Sequence, residues 1–109
     1  MRGLSSSARA LPVMFERPEL DAILRVYGRL VMSGDCKDYA IDRLEDRAVF
    51  SIFRRASEFP LYRIEKVPAQ AKRQGAWSIL APGGAILKRG HDLSNLLRFF
   101  DKRRFQLVD

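Results

Sequence analysis

Residues 76–89 (AWSILAPGGAILKR) constrain the fold of this chain more than any other stretch. Two apolar runs flank Pro82-Gly83-Gly84, and apolar runs separated by a short turn are typical of paired strands. Proline beside glycine fits a type II turn, in which the glycine, here Gly83, takes a positive φ. The segment therefore predicts a β-hairpin with Pro82 and Gly83 at its tip.

Three further strands are predicted before this hairpin. Tyr39 and Ile41 alternate with polar residues, and residues 45–47 (EDR) are typical of a turn. The mostly apolar run AVFSIF, residues 48–53, predicts a strand covered at least in part on both faces. Residues 61–67 (LYRIEKV) alternate between apolar and charged side chains, as in a half-buried strand. The short connections favour antiparallel pairing, because parallel neighbours need long crossovers.

Helical periodicity predicts one helix before these strands in the sequence and one after them. The first covers residues 18–33, where Pro18 suits the opening turn and Glu19 favours the positive end of the helix dipole. The second covers residues 93–103, with Asp92 as its N-cap. The apolar stripes are Leu20, Ile23, Leu24, Tyr27, Leu30 and Val31 in the first helix, and Leu93, Leu96, Leu97 and Phe100 in the second.

These elements predict one α+β domain over residues 16–109, with both helices packed on one face of an antiparallel sheet of about five strands. Residues 1–15 contain two arginines and three serines and no acidic residue. That composition resembles an organellar transit peptide, but a flexible N-terminal tail is the interpretation we favour.

The sequence offers little for catalysis, cofactor binding or membrane insertion. Cys36 and His91 are the only residues of their types, so they cannot form a structural zinc site alone, and Cys36 has no second histidine as a general base. The GGAILKRG segment lacks the glycine-to-helix junction of a phosphate-binding loop. The longest uncharged stretch, residues 74–87, is far shorter than a membrane span. We therefore expect a protein that is not an enzyme and has no cofactor.

Positive charge is concentrated in the second half of the chain. Residues 47–109 carry 13 lysines and arginines against five acidic residues, whereas residues 1–46 carry seven against eight. Such segregation favours a surface that contacts a polyanion, and RNA or DNA bound through phosphates is the first hypothesis. The candidate contact residues are Arg54, Arg55, Lys72, Arg73, Lys88, Arg89, Lys102, Arg103 and Arg104.

The aromatic residues separate this hypothesis from an alternative, a protein–protein adaptor or small homodimer whose charge serves an acidic partner. Phe53, Phe59, Tyr62 or Trp77 could stack on bases if exposed. Exposure of Trp77 and Tyr62 beside arginines favours nucleic acid, whereas their burial favours the adaptor.

Two segments carry a resemblance to a known family: residues 38–66 (DYAIDRLEDRAVFSIFRRASEFPLYRIEK) and residues 74–102 (QGAWSILAPGGAILKRGHDLSNLLRFFDK). They resemble a family of small alphaproteobacterial proteins that is catalogued as a domain of unknown function. The resemblance covers roughly residues 14–104. It implies a bacterial cytoplasmic protein rather than an organellar one, and it implies no activity, ligand or catalytic residue.

Overall fold

The computed structural model describes residues 11–55 and 59–108, and for residues 102–108 it describes the backbone alone. Within these ranges the chain forms two α-helices, five strands and a short 3₁₀ helix at Pro68–Gln70. The helices are α1 (Arg17–Met32) and α2 (Leu93–Val108), and the strands are β1 (Asp38–Arg43), β2 (Ala48–Phe53), β3 (Tyr62–Lys66), β4 (Trp77–Leu80) and β5 (Ile86–Gly90). The predicted first helix is confirmed within one residue at each end, and the second extends five residues beyond its predicted end at residue 103.

The five strands form one antiparallel sheet in the order β1-β2-β3-β4-β5. Phe50 on β2 lies opposite Ile64 on β3, which lies opposite Ile79 on β4. All three side chains are fully buried, and they share a core with Ile23 of α1 and Leu96 of α2. Both helices therefore cover this face of the sheet, called the helix face below, and the predicted α+β architecture is confirmed.

The other face of the sheet, called the open face, carries polar side chains along the central strands. Ser51, Glu65 and Ser78 are nearly inaccessible there, although no described helix lies above them. Arg47, from the β1–β2 turn, reaches over the sheet and donates to Glu65 Oε1 at 3.0 Å. A buried carboxylate needs such a partner, because desolvation without one is costly.

Helix α1 begins at a capping box. The side chain of Glu16 accepts from the backbone of Glu19, and Glu19 Oε1 in turn accepts from the Glu16 N–H at 2.7 Å. This reciprocal pair satisfies backbone donors that the first turn of a helix leaves without intrahelical partners. The local sequence ERPE therefore determines where the helix begins.

The predicted buried stripe of α1 was wrong at Val31, which is exposed, and it omitted Val26, which is buried. The reason is the second helix. Arg29 Nη2 donates to Asp101 Oδ1 of α2 at 3.2 Å, on the side of α1 that carries Val26. Packing against α2 rotates the buried sector of α1 away from Val31, and periodicity in α1 alone does not contain this information.

The predicted β4–β5 hairpin is confirmed, but the predicted positive φ at Gly83 was wrong. Gly84 takes it, with φ 94°. The Gly84 N–H donates to the Ala81 carbonyl and the Ala81 N–H donates to Ala85, both at 2.8 Å. Three loop residues lie between Ala81 and Ala85, and in such hairpins a tight turn is followed by a residue in the left-handed region. The second glycine, rather than the first, occupies that position.

A register shift between Ile79 and Leu80 inserts one extra residue into β5. The extra residue is Leu87, and the bulge turns Leu87 and Lys88 to the same side, toward α2. Lys88 Nζ donates to the Asn95 carbonyl of α2 at 3.0 Å. The bulge thus places an apolar side chain beside α2 that strict alternation along β5 would place on the open face.

Part of the predicted N-terminal tail contacts the fold. The Val13 N–H donates to the Leu44 carbonyl at 2.9 Å, and the Phe15 ring stacks on Trp77 with 6.1 Å between centroids. Residues 1–10 lie outside the described residues. Lys66 fixes this region further, because its Nζ donates to the Met14 carbonyl and to Glu19 Oε1.

Candidate binding surfaces

The single cysteine is unsuited to nucleophilic chemistry. Cys36 lies two residues before β1, and its side chain is buried in the core. Burial, reinforced by the nearby carboxylate of Asp35, raises the pKa of the thiol to about 11. A thiolate is the reactive form of cysteine, so this group stays protonated and unreactive near neutral pH.

His91 and Asp92 serve the local structure. His91 Nδ1 lies 3.1 Å from the Ala71 carbonyl, and Asp92 Oδ2 accepts from the Asn95 N–H as the predicted N-cap of α2. In the described part of the chain, no three His, Cys, Asp or Glu side chains are grouped so as to hold a metal ion. None of the helices described is both long enough and apolar enough to cross a membrane.

Several cationic side chains are committed to contacts within the fold. Lys66 Nζ lies 2.7 Å from Glu19 and 5.9 Å from the centroid of the Trp77 ring, and it is largely shielded from solvent. Arg47 bridges Asp46 and Glu65, and Arg89 donates to the Gln74 side chain. Arg47, together with the hydrogen bond that it donates, lowers the pKa of Asp46. Part of the positive charge in the second half of the chain is therefore neutralised internally.

The candidate phosphate contacts do not lie on a common surface. Arg54 and Arg55 directly follow β2, at the end of the sheet where β3 begins. Lys72 and Arg73 lie in the connection from β3 to β4, which is at the opposite end because β3 is antiparallel to β2. Lys88 points toward α2, whereas Arg89, next in β5, points to the open face beside Ser78.

Helix α2 runs toward the end of the sheet that carries Arg54 and Arg55. Its first turns lie beside Lys88, and Phe100 packs edge-on against Tyr62 at the start of β3, with 5.2 Å between ring centroids. The backbone of residues 102–104 continues beyond that point, and their side chains lie outside the described residues. Lys37, Arg54 and Arg55, all exposed, define what is called the basic end below.

The aromatic residues proposed for base stacking differ in their exposure. Trp77 is only 6% exposed, under Phe15 and beside Lys66. Tyr62 is half-buried and makes edge-on contacts with Phe99 and Phe100. Phe59, however, is 87% exposed and lies in the connection between Arg55 and β3. Burial of Trp77 favours the adaptor hypothesis, Tyr62 is only half-buried, and Phe59 remains available at the surface.

An open apolar cleft lies between α2 and the β4–β5 hairpin. It encloses about 320 Å³, and its lining residues are Leu61, Tyr62, Ala81, Pro82, Leu87 and Phe99. Leu61 and Tyr62 also line a smaller cavity on their other side, which Arg54, Asp35 and Phe100 border. The cleft, called the apolar cleft below, therefore adjoins the basic end.

Periodicity along the sequence does not predict this cleft, although one signal for it is present. Phe99 falls outside the apolar stripe of α2, and an aromatic residue at such a position needs another surface to cover it. Its ring packs edge-on against Tyr62 and Phe100. It also lines the cleft together with Pro82 and with Leu87, which faces α2 only because of the bulge. Local periodicity predicts neither of these two neighbours.

Comparison with known proteins identifies one family. A family model described as "Protein of unknown function (DUF2794)" matches residues 13–97, which include α1 and all five strands. No curated protein and no solved structure matches the chain.

Proposed function

This chain belongs to the DUF2794 family, and we propose that it is a non-enzymatic binding module for an acidic protein partner. The partner segment places a large apolar side chain in the apolar cleft and carboxylates against the basic end. The observation that carries this proposal is the shared position of Leu61 and Tyr62, which line the apolar cleft on one side and adjoin Arg54 on the other.

The chemistry of this region fits such a segment. The six residues that line the cleft are apolar apart from the tyrosine hydroxyl, and about 320 Å³ accommodates one large side chain. Binding sites of this kind combine an apolar anchor in a pocket with a polar rim, and charges on the rim mainly set the association rate and the choice of partner. The proposal includes the cytoplasmic location expected from the sequence.

Nucleic acid bound through phosphates is a second candidate, and a specific observation favours it. Phe59 is exposed in the segment that follows Arg54 and Arg55, which is the combination of aromatic and cationic side chains that single-stranded nucleic acids contact. The scattering of Lys72, Arg73, Lys88 and Arg89 away from this end weighs against an extended phosphate-binding surface. The two candidates are separable in one set of binding measurements.

Selection of a displayed random peptide library against the full chain tests the first candidate. We expect the enriched peptides to combine one large apolar residue with flanking Asp or Glu. Leu87→Glu should weaken their binding by about tenfold or more, because a carboxylate in the cleft loses hydration when the anchor enters. Ile86→Glu is the matched control, since Ile86 is similarly exposed on β5 but does not line the cleft.

A pair of charge reversals tests the contribution of the basic end. Arg54→Glu with Arg55→Glu should weaken peptide binding, whereas Lys72→Glu with Arg73→Glu, at the opposite end of the sheet, should leave it unchanged. Enrichment of peptides without acidic residues, or binding that is indifferent to Leu87→Glu, contradicts the proposal. Fluorescence anisotropy with labelled RNA and DNA completes the set: affinity tighter than about 10⁻⁴ M at low salt that Phe59→Ala reduces would support the second candidate instead.

A further inference from the structure

The outer edge of β1 is a surface that neither proposal above uses. Within residues 11–55 and 59–108, no strand pairs with β1 on the side away from β2, and all six of its side chains are exposed. We propose that two copies of this chain associate through their β1 strands, in antiparallel orientation, to form one continuous sheet of ten strands. The occupant of the edge is thus a second copy of the chain.

The pairing of β1 with β2 determines which backbone groups face outward. The Leu44 N–H donates to the Arg47 carbonyl across the β1–β2 turn. Hydrogen-bonded residues alternate along an antiparallel strand, so Asp42, Ala40 and Asp38 also face β2. The backbone groups of Tyr39, Ile41 and Arg43 then point to the free edge. The hydrogen bond of the Tyr39 N–H is consistent with this assignment, because the N–H donates to Asp38 Oδ1 at 2.8 Å rather than to β2.

Charge selects one register for the pairing of two β1 strands. With the two-fold axis at Ile41, each Ile41 lies opposite its copy, and Tyr39 lies opposite Arg43 of the second copy. Directly opposed side chains lie on the same face of the sheet, so an arginine meets an aromatic ring there. An axis at Ala40 would oppose Asp38 to Asp42, and an axis at Asp42 would oppose two aspartates. Only the register at Ile41 avoids opposed acids while hydrogen-bonding Tyr39, Ile41 and Arg43.

Apolar surface lies beside the proposed axis. Ile41 and Arg43 line an open cleft of about 270 Å³ on the helix face, together with Met14, Phe15 and Leu20. Ile41 is 39% exposed, and Met14 and Leu44 are more exposed still. The two-fold axis brings the two clefts to either side of the Ile41 pair, so association buries apolar area as well as forming backbone hydrogen bonds.

The strand at the opposite edge of the sheet, β5, is less suited than β1 to pairing with another strand. β5 contains a bulge and the adjacent cations Lys88 and Arg89, which are features that keep edge strands from pairing. β1 has no lysine or proline and continues in regular register with β2 over all six residues. In the register centred on Ile41, none of its charged side chains lies opposite a side chain of the same charge. The free edge that is suited to a second copy is therefore β1.

Sedimentation velocity on the full chain and two variants tests the proposal. We expect a dimer for the wild type at about 100 μM, a monomer for Ile41→Arg and a dimer for Ile86→Arg. Ile41→Arg places two cations opposite each other at the axis, whereas Ile86→Arg changes a similarly exposed isoleucine on the other edge. Circular dichroism of each variant establishes that it is folded. A monomeric wild type, or a folded Ile41→Arg that remains dimeric, overturns the proposal.

Cysteine cross-linking tests the register. Opposed residues in a hydrogen-bonded antiparallel pair have Cα atoms about 5.5 Å apart, within the range that a disulfide spans. In a Cys36→Ala background, Ile41→Cys should therefore give a covalent dimer under mild oxidation, and Ala40→Cys should not. The reverse pattern would overturn the Ile41 register. A monomer whose β1 amides exchange faster after deletion of residues 1–10 would assign the edge to that segment and overturn the proposal.

Discussion

At the scale of single residues, Gly75 is the position least able to carry a side chain. Its φ is 99°, and a Cβ there would lie 2.1 Å from the backbone oxygen of Gly90, at the end of β5. Gly75→Ala should lower the free energy of unfolding by at least about 2 kcal/mol, because left-handed strain adds to a clash with backbone. Urea denaturation measures the loss.

Gly28 provides the matched control for that substitution. It lies within α1, and a Cβ there meets no atom within 4 Å. Gly28→Ala should raise stability by about 0.5–1 kcal/mol, since alanine loses less entropy than glycine in a helix. If Gly75→Ala and Gly28→Ala lowered the free energy of unfolding equally, the close approach of Gly75 to Gly90 would not explain the cost of a side chain at residue 75.

Cys36 predicts a pH dependence of stability. Its pKa is raised from an ordinary value near 9 to about 11 in the folded chain, chiefly by burial. A raised pKa means that the folded state holds the proton more tightly, so the stabilisation is complete below about pH 9 and is lost as the pH rises toward 11. Between those pH values, the free energy of unfolding should fall less steeply for Cys36→Ala than for the wild type. Parallel slopes would contradict the assigned shift.

At the scale of elements, α1 tests how the two helices share the core. Ile23 is fully buried in the common core, whereas Val31 is 40% exposed. Ile23→Ala should cost about 2–5 kcal/mol, the range for buried aliphatic residues cut back to alanine. Val31→Ala should cost less than about 0.5 kcal/mol, as expected for a surface substitution. Chemical denaturation of both variants measures these losses of unfolding free energy. Similar losses at the two positions would mean that Val31 is part of the buried stripe, as periodicity predicts, and would contradict the rotation toward Val26.

At the scale of the whole molecule, the sheet and both helices share one core. Phe50, Ile64 and Ile79 of the sheet cluster with Ile23 of α1 and Leu96 of α2. The chain should therefore unfold in a single cooperative transition. Trp77, the only tryptophan, reports on the sheet by fluorescence, and far-ultraviolet circular dichroism reports mainly on the helices. Their urea midpoints should coincide, and a separate, earlier loss of helical signal would show that a helix unfolds independently.

Local sequence by itself determined the element types and their order. The ERPE segment begins α1, Asp92 begins α2, and Pro82-Gly83-Gly84 produces a hairpin, because capping, proline geometry and glycine freedom act within a few residues. The antiparallel order followed from short connections. The charge asymmetry was also visible in the sequence, but it predicted no location for the charges.

Tertiary structure alone decided which of these residues meet. Because β2 and β3 are antiparallel, Arg54 and Lys72 lie at opposite ends of the sheet. The bulge in β5 places Leu87 on the same side as Phe99. Packing against α2 buries Val26 rather than Val31. Each outcome depends on contacts between residues far apart in the chain, and periodicity within one element cannot encode them. The apolar cleft and its position beside the basic end are products of that packing.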